Sequence, residues 1–182
     1  IEEDNTIERE NTIDESNTTE EDEISQIDVE QNPVTTIDEY ITYFEAKYAE
    51  EFPNSWGERV NGVITEINTE DKVAALTFDA CGGKSDGYDA EIIEFLIREG
   101  ISATLFINSH WIDKFPNEFY ELAANPLFEI ANHGYKHKPL SVTGESAYGI
   151  TGTKNIREVI EEILLNDEKI FYVTGYKPRY FR

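Results

Sequence analysis

Two histidines, His133 and His137, stand four residues apart in the segment His-Gly-Tyr-Lys-His, just after a short apolar run. If one turn of helix forms there, both imidazole rings point the same way and can share one cation. Imidazole suits Zn, Co, Ni and related divalent ions. The alternative is two unrelated histidines that happen to lie close together. The third histidine, His110, lies beside Trp111 and is interpreted as a structural residue in a turn.

A second candidate group, Asp79, follows the apolar run Val73–Phe78 and precedes the pair Gly82-Gly83. A carboxylate in that place can act as a general base or as a metal ligand. The alternative is an Asp that bonds backbone groups of a turn. Cys81 could be a soft metal ligand or a nucleophile, but nothing beside it indicates an activated thiol, and no chemical role is expected for it.

Apolar residues elsewhere alternate between strand-like and helix-like spacing. Short apolar runs predict strands, and apolar residues at i, i+3 and i+4 predict helices. In chain order the sequence predicts a helix that begins with a capping box at Thr36 and ends at Pro53-Asn54, a strand over 73–78 covered on both faces, a helix over 92–97 that stops at Gly100, a strand over 103–107, a helix after Pro116, a strand over 128–131, a helix over 156–164, and a strand that begins at 179.

This alternation is typical of an α/β protein with a parallel sheet or barrel. In such folds the chemistry sits at the carboxyl ends of the strands. The residues at those ends are Asp79, Asn108, His133 and Arg182. Three of these four side chains are chemically capable groups, so the sequence predicts a functional site at this edge.

Residues 1–33 differ in composition from the rest of the chain. They are rich in Glu, Asp, Asn and Thr and contain no Phe, Tyr, Trp or Leu. Such a segment buries too little apolar area to offset its chain entropy, and we interpret it as a disordered acidic linker. It is either an ordinary acidic tail or, as we favour, a solvated stalk that holds a domain off a membrane. Residues 34–59 are interpreted as a helical N-terminal extension and residues 60–182 as the main domain.

The net charge of −23 and the pI near 4.3 exclude some classes of partner. Nucleic acids and anionic membranes attract basic proteins, so we expect neither as a partner. No apolar run approaches the roughly 20 residues that span a bilayer. One cysteine allows no intrachain disulfide. The sequence does not indicate the oligomeric state.

Three segments resemble the first three motifs of the polysaccharide deacetylases, the NodB-homology domain of carbohydrate esterase family 4. They are Thr77-Phe78-Asp79, the segment from His133 to His137, and Tyr180-Phe181-Arg182. The resemblance covers roughly residues 55–182. It implies a distorted (β/α) barrel, incomplete at the C-terminus, and a polysaccharide substrate such as peptidoglycan or a chitin-like polymer. It also implies a secreted or cell-surface bacterial protein, and the acidic linker would suit a tether.

The same resemblance assigns roles to single residues. Asp79 matches the catalytic base, and Arg182 matches the Arg that holds that base in place. His133 and His137 match two ligands of a divalent metal ion, such as Zn, Co, Ni or Mn. The implied reaction is hydrolysis of an N-acetyl group, in which the ion activates water and Asp79 takes the proton.

Two departures from the family pattern leave alternatives open. The position of the family's metal-binding Asp holds Ala80, which cannot bind an ion, although a subgroup of the family shares the sequence Thr-Phe-Asp-Ala-Cys-Gly-Gly. The sequence stops at Arg182, so the later motifs, with their His general acid, are expected beyond it, and this fragment alone is expected to be inactive. The alternatives are a degenerate member that binds a glycan without hydrolysing it, and a related amide hydrolase that needs no metal.

Overall fold

A computed structural model of the protein describes residues 36–84 and 87–182. The linker predicted for residues 1–33 lies outside these ranges, and the predicted division between 34–59 and 60–182 stays a prediction. The elements, in chain order, are α1 (Ile37–Lys47), β1 (Thr77–Ala80), α2 (Ala90–Glu99), β2 (Ala103–Ile107), α3 (Ser109–Lys114), α4 (Pro116–Ala124), β3 (Phe128–Asn132), β4 (Ser146–Ala147), β5 (Ile150–Thr151) and α5 (Ile156–Thr174).

Strands β1, β2 and β3 form a parallel sheet in that order. Asp79 pairs with Phe106 between the first two strands, and Ile107 pairs with Asn132 between the last two. A single parallel bridge from Asn132 to Phe181 lies where the sequence predicts a fourth strand. The predicted α/β class with a parallel sheet is confirmed, and within the described residues the sheet is open.

The first strand differs from its predicted form. The sequence predicts a strand over 73–78 covered on both faces, but β1 begins at Thr77, and Val73 and Leu76 are exposed. Among the described residues β1 is the edge strand and pairs with β2 alone, which leaves alternate residues open to solvent. An apolar run occurs in edge strands and in buried strands, so the run alone does not distinguish them.

Local sequence signals set most of the helix ends. Thr36 forms the predicted capping box of α1, and Gly100 ends α2 in the left-handed conformation with φ of 65°. The predicted end of α1 near Pro53 is wrong, because the chain leaves helical geometry at Tyr48, directly after Lys47. Proline sets the latest point at which a helix can end, and the helix here ends earlier.

The segment after β2 is helical, although the sequence predicts a turn at His110 and Trp111. Asn108 caps the short helix α3, since its side-chain oxygen accepts a hydrogen bond from the His110 amide at 2.9 Å. Trp111 is buried, and its indole N–H donates to the Gly87 carbonyl at 3.2 Å. Six residues carry too little periodicity to predict this helix from the sequence.

The hydrophobic core lies between the sheet and the helices that follow its strands. Helix α1 packs against α5, where the Asp38 carboxylate lies 3.3 Å from the Arg157 guanidinium. None of the helices in the described ranges combines the length and the apolar character that a membrane crossing requires. The core consists of Ile93, Leu96, Ala103, Leu105, Ile107, Trp111, Ile112, Phe119, Leu122, Phe128, Ile130 and Ile170.

Truncation of Phe119 tests this assignment of the core. Phe119 is 0% exposed, whereas Phe171 on α5 is 48% exposed. We expect Phe119→Ala to lower the free energy of unfolding by about 3–5 kcal/mol, because it removes a buried ring and leaves a cavity. The matched change Phe171→Ala should cost less than about 1 kcal/mol. Urea unfolding followed by circular dichroism measures both, and equal losses would contradict the core described here.

Candidate active site

The carboxyl edge of the sheet brings together the residues predicted from the strand ends. Asp79 is the last residue but one of β1, Asn108 follows β2 directly, and His133 follows β3 directly. The Arg182 amide donates to the Asn132 carbonyl at 3.0 Å, which carries the Arg182 side chain to the same edge. Parallel strands end at a common edge, so four positions far apart in sequence meet there.

Asp79 is bound directly by Arg182. The Arg182 Nε donates to Asp79 Oδ1 at 2.9 Å, and Nη2 donates to the same oxygen. The Nη1 group donates to Thr77 Oγ1 at 3.0 Å, and the guanidinium lies 4.3 Å from the centroid of the Phe106 ring. Thr77 and Asp79 are two residues apart on one strand and therefore share a face of the sheet. The predicted pairing of Asp79 with Arg182 is thus present, and both recorded hydrogen bonds go to Oδ1.

The two imidazoles of the predicted pair face each other. His133 Nε2 and His137 Nε2 are 3.0 Å apart, and the ring centroids are 4.8 Å apart. The expected helical turn is absent from this segment. Instead, Gly134 and His137 adopt the left-handed conformation, with φ of 78° and 58°. The rings converge because the loop folds back on itself, and a non-glycine residue held in this conformation is often found at a functional site.

The environment of His133 favours a neutral ring. Its Nδ1 lies 2.5 Å from the backbone carbonyl oxygen of Arg182, so Nδ1 is assigned as the donor and Nε2 carries the lone pair. Burial lowers the pKa of His133 below its ordinary value, although the nearby Asp79 carboxylate opposes this shift. A neutral imidazole with a fixed tautomer is the form that binds a metal ion.

Cys81 lies beside the two imidazoles. Its Sγ is 3.4 Å from His133 Nε2, and the ligand atoms of Cys81, His133 and His137 all lie within 4.8 Å of one another. Two nitrogens bound to one zinc ion at about 2.0–2.1 Å stand roughly 3.1–3.4 Å apart for angles of 100–110°, so the observed 3.0 Å lies close to the separation that a shared ion requires. The sequence analysis assigns Cys81 no role. The available signal was its place directly after Ala80, where the family has its carboxylate ligand.

A buried carboxylate holds the loop between the two histidines. Glu162 of α5 is 3% exposed, and its Oε1 accepts hydrogen bonds from the amides of Lys136 at 2.8 Å and Lys138 at 3.0 Å. Its backbone carbonyl accepts from the Tyr135 amide at 2.9 Å. A Cβ on Gly134 would lie 2.6 Å from the same Oε1. Sequence reasoning missed Glu162, because a Glu in an amphipathic helix is ordinarily assigned to the solvent face.

Three buried asparagines link this loop to the sheet. Asn108 Nδ2 donates to the carbonyls of His133 at 2.9 Å and Gly134 at 2.6 Å. Asn132 Oδ1 accepts from the Gly134 amide at 2.7 Å and from Asn166 Nδ2 at 2.7 Å. Asn108 was thus rightly placed at the edge by the sequence, but the contacts show that it positions the loop backbone. Buried amides with several partners fix one conformation of a loop.

The turn after β1 is packed closely against α3. Gly82 has φ of 75°, and a Cβ there would lie 2.5 Å from the backbone nitrogen of Trp111. The Lys114 Nζ donates to the Gly83 carbonyl at 3.1 Å. This turn carries the Cys81 side chain, so its direction is set by backbone packing that only glycine at position 82 allows.

Comparisons with known proteins show which family and which relatives the chain is similar to. The family model described as polysaccharide deacetylase matches residues 66–182. The peptidoglycan-N-acetylmuramic acid deacetylase PdaA of Bacillus subtilis (strain 168) is 23% identical over 129 residues, which are 68% of this chain and 44% of the relative.

Two solved structures are also similar. The Bc1960 peptidoglycan N-acetylglucosamine deacetylase, in complex with 4-naphthalen-1-yl-N-oxidanyl-benzamide, has 26% identity and a TM-score of 0.45 and covers 59% of this chain and 44% of its own. A deacetylase with substrate has 24% identity and a TM-score of 0.44 and covers 59% of this chain and 47% of its own. The chain therefore spans less than half the length of each of these proteins.

Removal of the Glu162 carboxylate should loosen the histidine loop. We expect Glu162→Ala to lower the free energy of unfolding by about 2–4 kcal/mol, because two amides lose a charged acceptor. Glu162→Gln keeps an oxygen that can accept and should cost less. Glu161→Ala is the matched control, since Glu161 is 38% exposed at its side chain and lies 3.7 Å from Arg157. Its cost should stay below about 1 kcal/mol. Urea unfolding separates these outcomes, and similar losses at both positions would refute the role given to Glu162.

Proposed function

The chain belongs to the polysaccharide deacetylase family, and on that premise we propose that it is part of an enzyme that removes N-acetyl groups from a polysaccharide. The observation that carries the proposal is the carboxylate of Asp79, held by Arg182, at the same edge as two facing imidazoles. Metal-assisted amide hydrolysis uses a positioned general base and side chains that can bind a metal ion, and this edge of the sheet has both kinds of group.

We propose that His133 and His137 hold a divalent ion such as Zn, Co, Ni or Mn. Two observations support this. The Nε2 atoms of the two rings are 3.0 Å apart, and the hydrogen bond from His133 Nδ1 to the Arg182 carbonyl leaves His133 Nε2 facing His137. A bound ion of this kind polarises a carbonyl oxygen and makes water a better nucleophile at neutral pH.

The proposed part of Asp79 is to take the proton from the water that attacks the acetyl carbonyl. Arg182 engages Oδ1 and orients the carboxylate, so Oδ2 can accept that proton. Thr77 and the Phe106 ring fix the guanidinium from two further sides. Arg182 is therefore a positioning residue for the base, because it acts through Asp79.

For the substrate, we propose peptidoglycan, with a chitin-like polymer as the next choice. The name of the Bacillus subtilis relative, a peptidoglycan deacetylase, supports this choice. The proposed location is the cell surface or the medium, with the acidic segment 1–33 as a tether.

One observation favours a second candidate function. Ala80 replaces the family's carboxylate ligand, and its side chain packs against the hydrophobic core. A site without that ligand could bind a glycan without hydrolysing it, or hydrolyse a related amide without a metal. Metal content and acetate release, measured together on purified peptidoglycan, distinguish these candidates from the metal-dependent deacetylase.

The three histidines of the chain provide a matched test of the metal site. The full-length protein, purified and supplied with Zn, should contain about one ion per chain. His133→Ala and His137→Asn should each weaken Zn binding by well over ~10-fold, and Asn is chosen at 137 because it tolerates a positive φ. His110→Ala should bind Zn normally, since His110 lies outside the cluster. Elemental analysis and chelator competition give the values, and a wild-type protein without bound metal would refute the metal-dependent mechanism.

Asp79→Asn tests the proposed base. Asn keeps the size of the side chain but cannot take the proton, so acetate release by the full-length protein should fall by ~100-fold or more. Zn content should stay close to that of the wild type, because both histidines are unchanged. The exposed residue Asp71 gives the control, and Asp71→Asn should leave turnover unaltered. Near-normal turnover in Asp79→Asn would disprove the assignment, and loss of Zn would make Asp79 a metal ligand instead.

A further inference from the structure

We propose that the Cys81 thiolate is the third protein ligand of the metal ion, in place of the carboxylate that Ala80 cannot supply. The inference rests on the proposed metal-dependent function and adds a ligand that the family motif does not contain. Cys81 is not an isolated thiol here, because two imidazole nitrogens lie beside it in one cluster. The result would be a site with one sulfur and two nitrogen ligands.

The distances within the cluster support a shared ion. Sulfur at about 2.3 Å and nitrogen at about 2.0–2.1 Å from one zinc ion stand roughly 3.3–3.6 Å apart at angles of 100–110°. The Sγ of Cys81 is 3.4 Å from His133 Nε2, within that range. The third separation, from Cys81 to His137, is at most 4.8 Å, and the proposal requires these two atoms to approach to about 3.3–3.6 Å when an ion binds.

A simple hydrogen bond between thiol and imidazole is the alternative explanation of the 3.4 Å contact. His133 Nδ1 is assigned as the donor to the Arg182 carbonyl, which leaves Nε2 with a single lone pair. The His137 ring nitrogen and the Cys81 sulfur both lie close to that nitrogen, at 3.0 and 3.4 Å. Three electron-rich atoms that converge in this way suit a cation between them better than a set of competing hydrogen bonds.

The backbone fixes the direction of the Cys81 side chain. Ala80 is turned into the core, so the next residue is the first one after β1 that can face the histidines. Gly82 then lies so close to the Trp111 backbone that the turn has little room to move. Preorganised ligands lose little conformational freedom when an ion binds.

A thiolate ligand changes which ions the site prefers. Thiolate is a soft ligand that selects Zn and similar ions over Mg, Ca or Mn. Binding releases the thiol proton to solvent, because the thiolate is the form that binds the metal. The proposal therefore narrows the expected cofactor to Zn, with Co as its spectroscopic substitute.

The test uses the full-length protein loaded with Co(II), together with Cys81→Ser and Cys81→Ala. This sequence has one cysteine and no methionine, so Cys81 is the one possible source of a sulfur-to-cobalt charge-transfer band within it. We expect that near-ultraviolet band in the wild type and its loss in both variants. Chelator competition should show Zn binding at least ~10-fold weaker in both variants, and circular dichroism checks that they remain folded.

The outcomes separate this proposal from the proposed function. Cobalt bound with visible d–d bands but without the sulfur band would overturn the Cys81 ligand and leave the two-histidine site intact. Wild-type protein that binds no cobalt would overturn both proposals. If one of the two Cys81 variants fails to fold, loss or retention of the sulfur band in the other decides the question.

Discussion

The interaction on which the site depends is the one between the Glu162 carboxylate and the backbone of the histidine loop. Glu162 comes from α5, yet its Oε1 and its backbone carbonyl accept hydrogen bonds from three amides of the loop, those of Tyr135, Lys136 and Lys138. A buried carboxylate is stable only when its lone pairs are satisfied, and here the loop amides satisfy them. The geometry of the loop and the burial of Glu162 therefore require each other, and a change in either would disturb the separation of His133 and His137.

The parallel register of the sheet supplies the second constraint. Asp79 and Asn132 reach the same edge because β1 and β3 both pair in parallel with β2. Asn166 of α5 then bridges the ends of two strands, with Nδ2 donating to the Ile107 carbonyl at 2.8 Å and to Asn132. Helix α5 thus supports the site through both Glu162 and Asn166, although it contributes no chemically reactive group to the edge.

The sequence predicts what depends on local pattern. Apolar runs alone predict strands β2 and β3 and the strand-end positions of Asp79 and His133. A glycine predicts the end of α2 at Gly100. The sequence does not predict what depends on tertiary partners. The exposed edge of β1 depends on which strands lie beside it, and the inward direction of Glu162 depends on loop amides that lie more than twenty residues away. The sequence shows that Cys81 directly follows Ala80, but only the structure shows that its sulfur lies 3.4 Å from His133 Nε2.

The loop is strained, and this bears on how the proposed metal site would work. A non-glycine residue in the left-handed conformation, as at His137, costs on the order of 1–3 kcal/mol, which the surrounding hydrogen bonds must offset. Glu162, Asn108 and Asn132 supply those hydrogen bonds from the protein itself. Asp79 meanwhile is bound by Arg182, whose Nε donates to its Oδ1. In the proposed mechanism this division lets one set of side chains hold the ion while a separate carboxylate handles the proton.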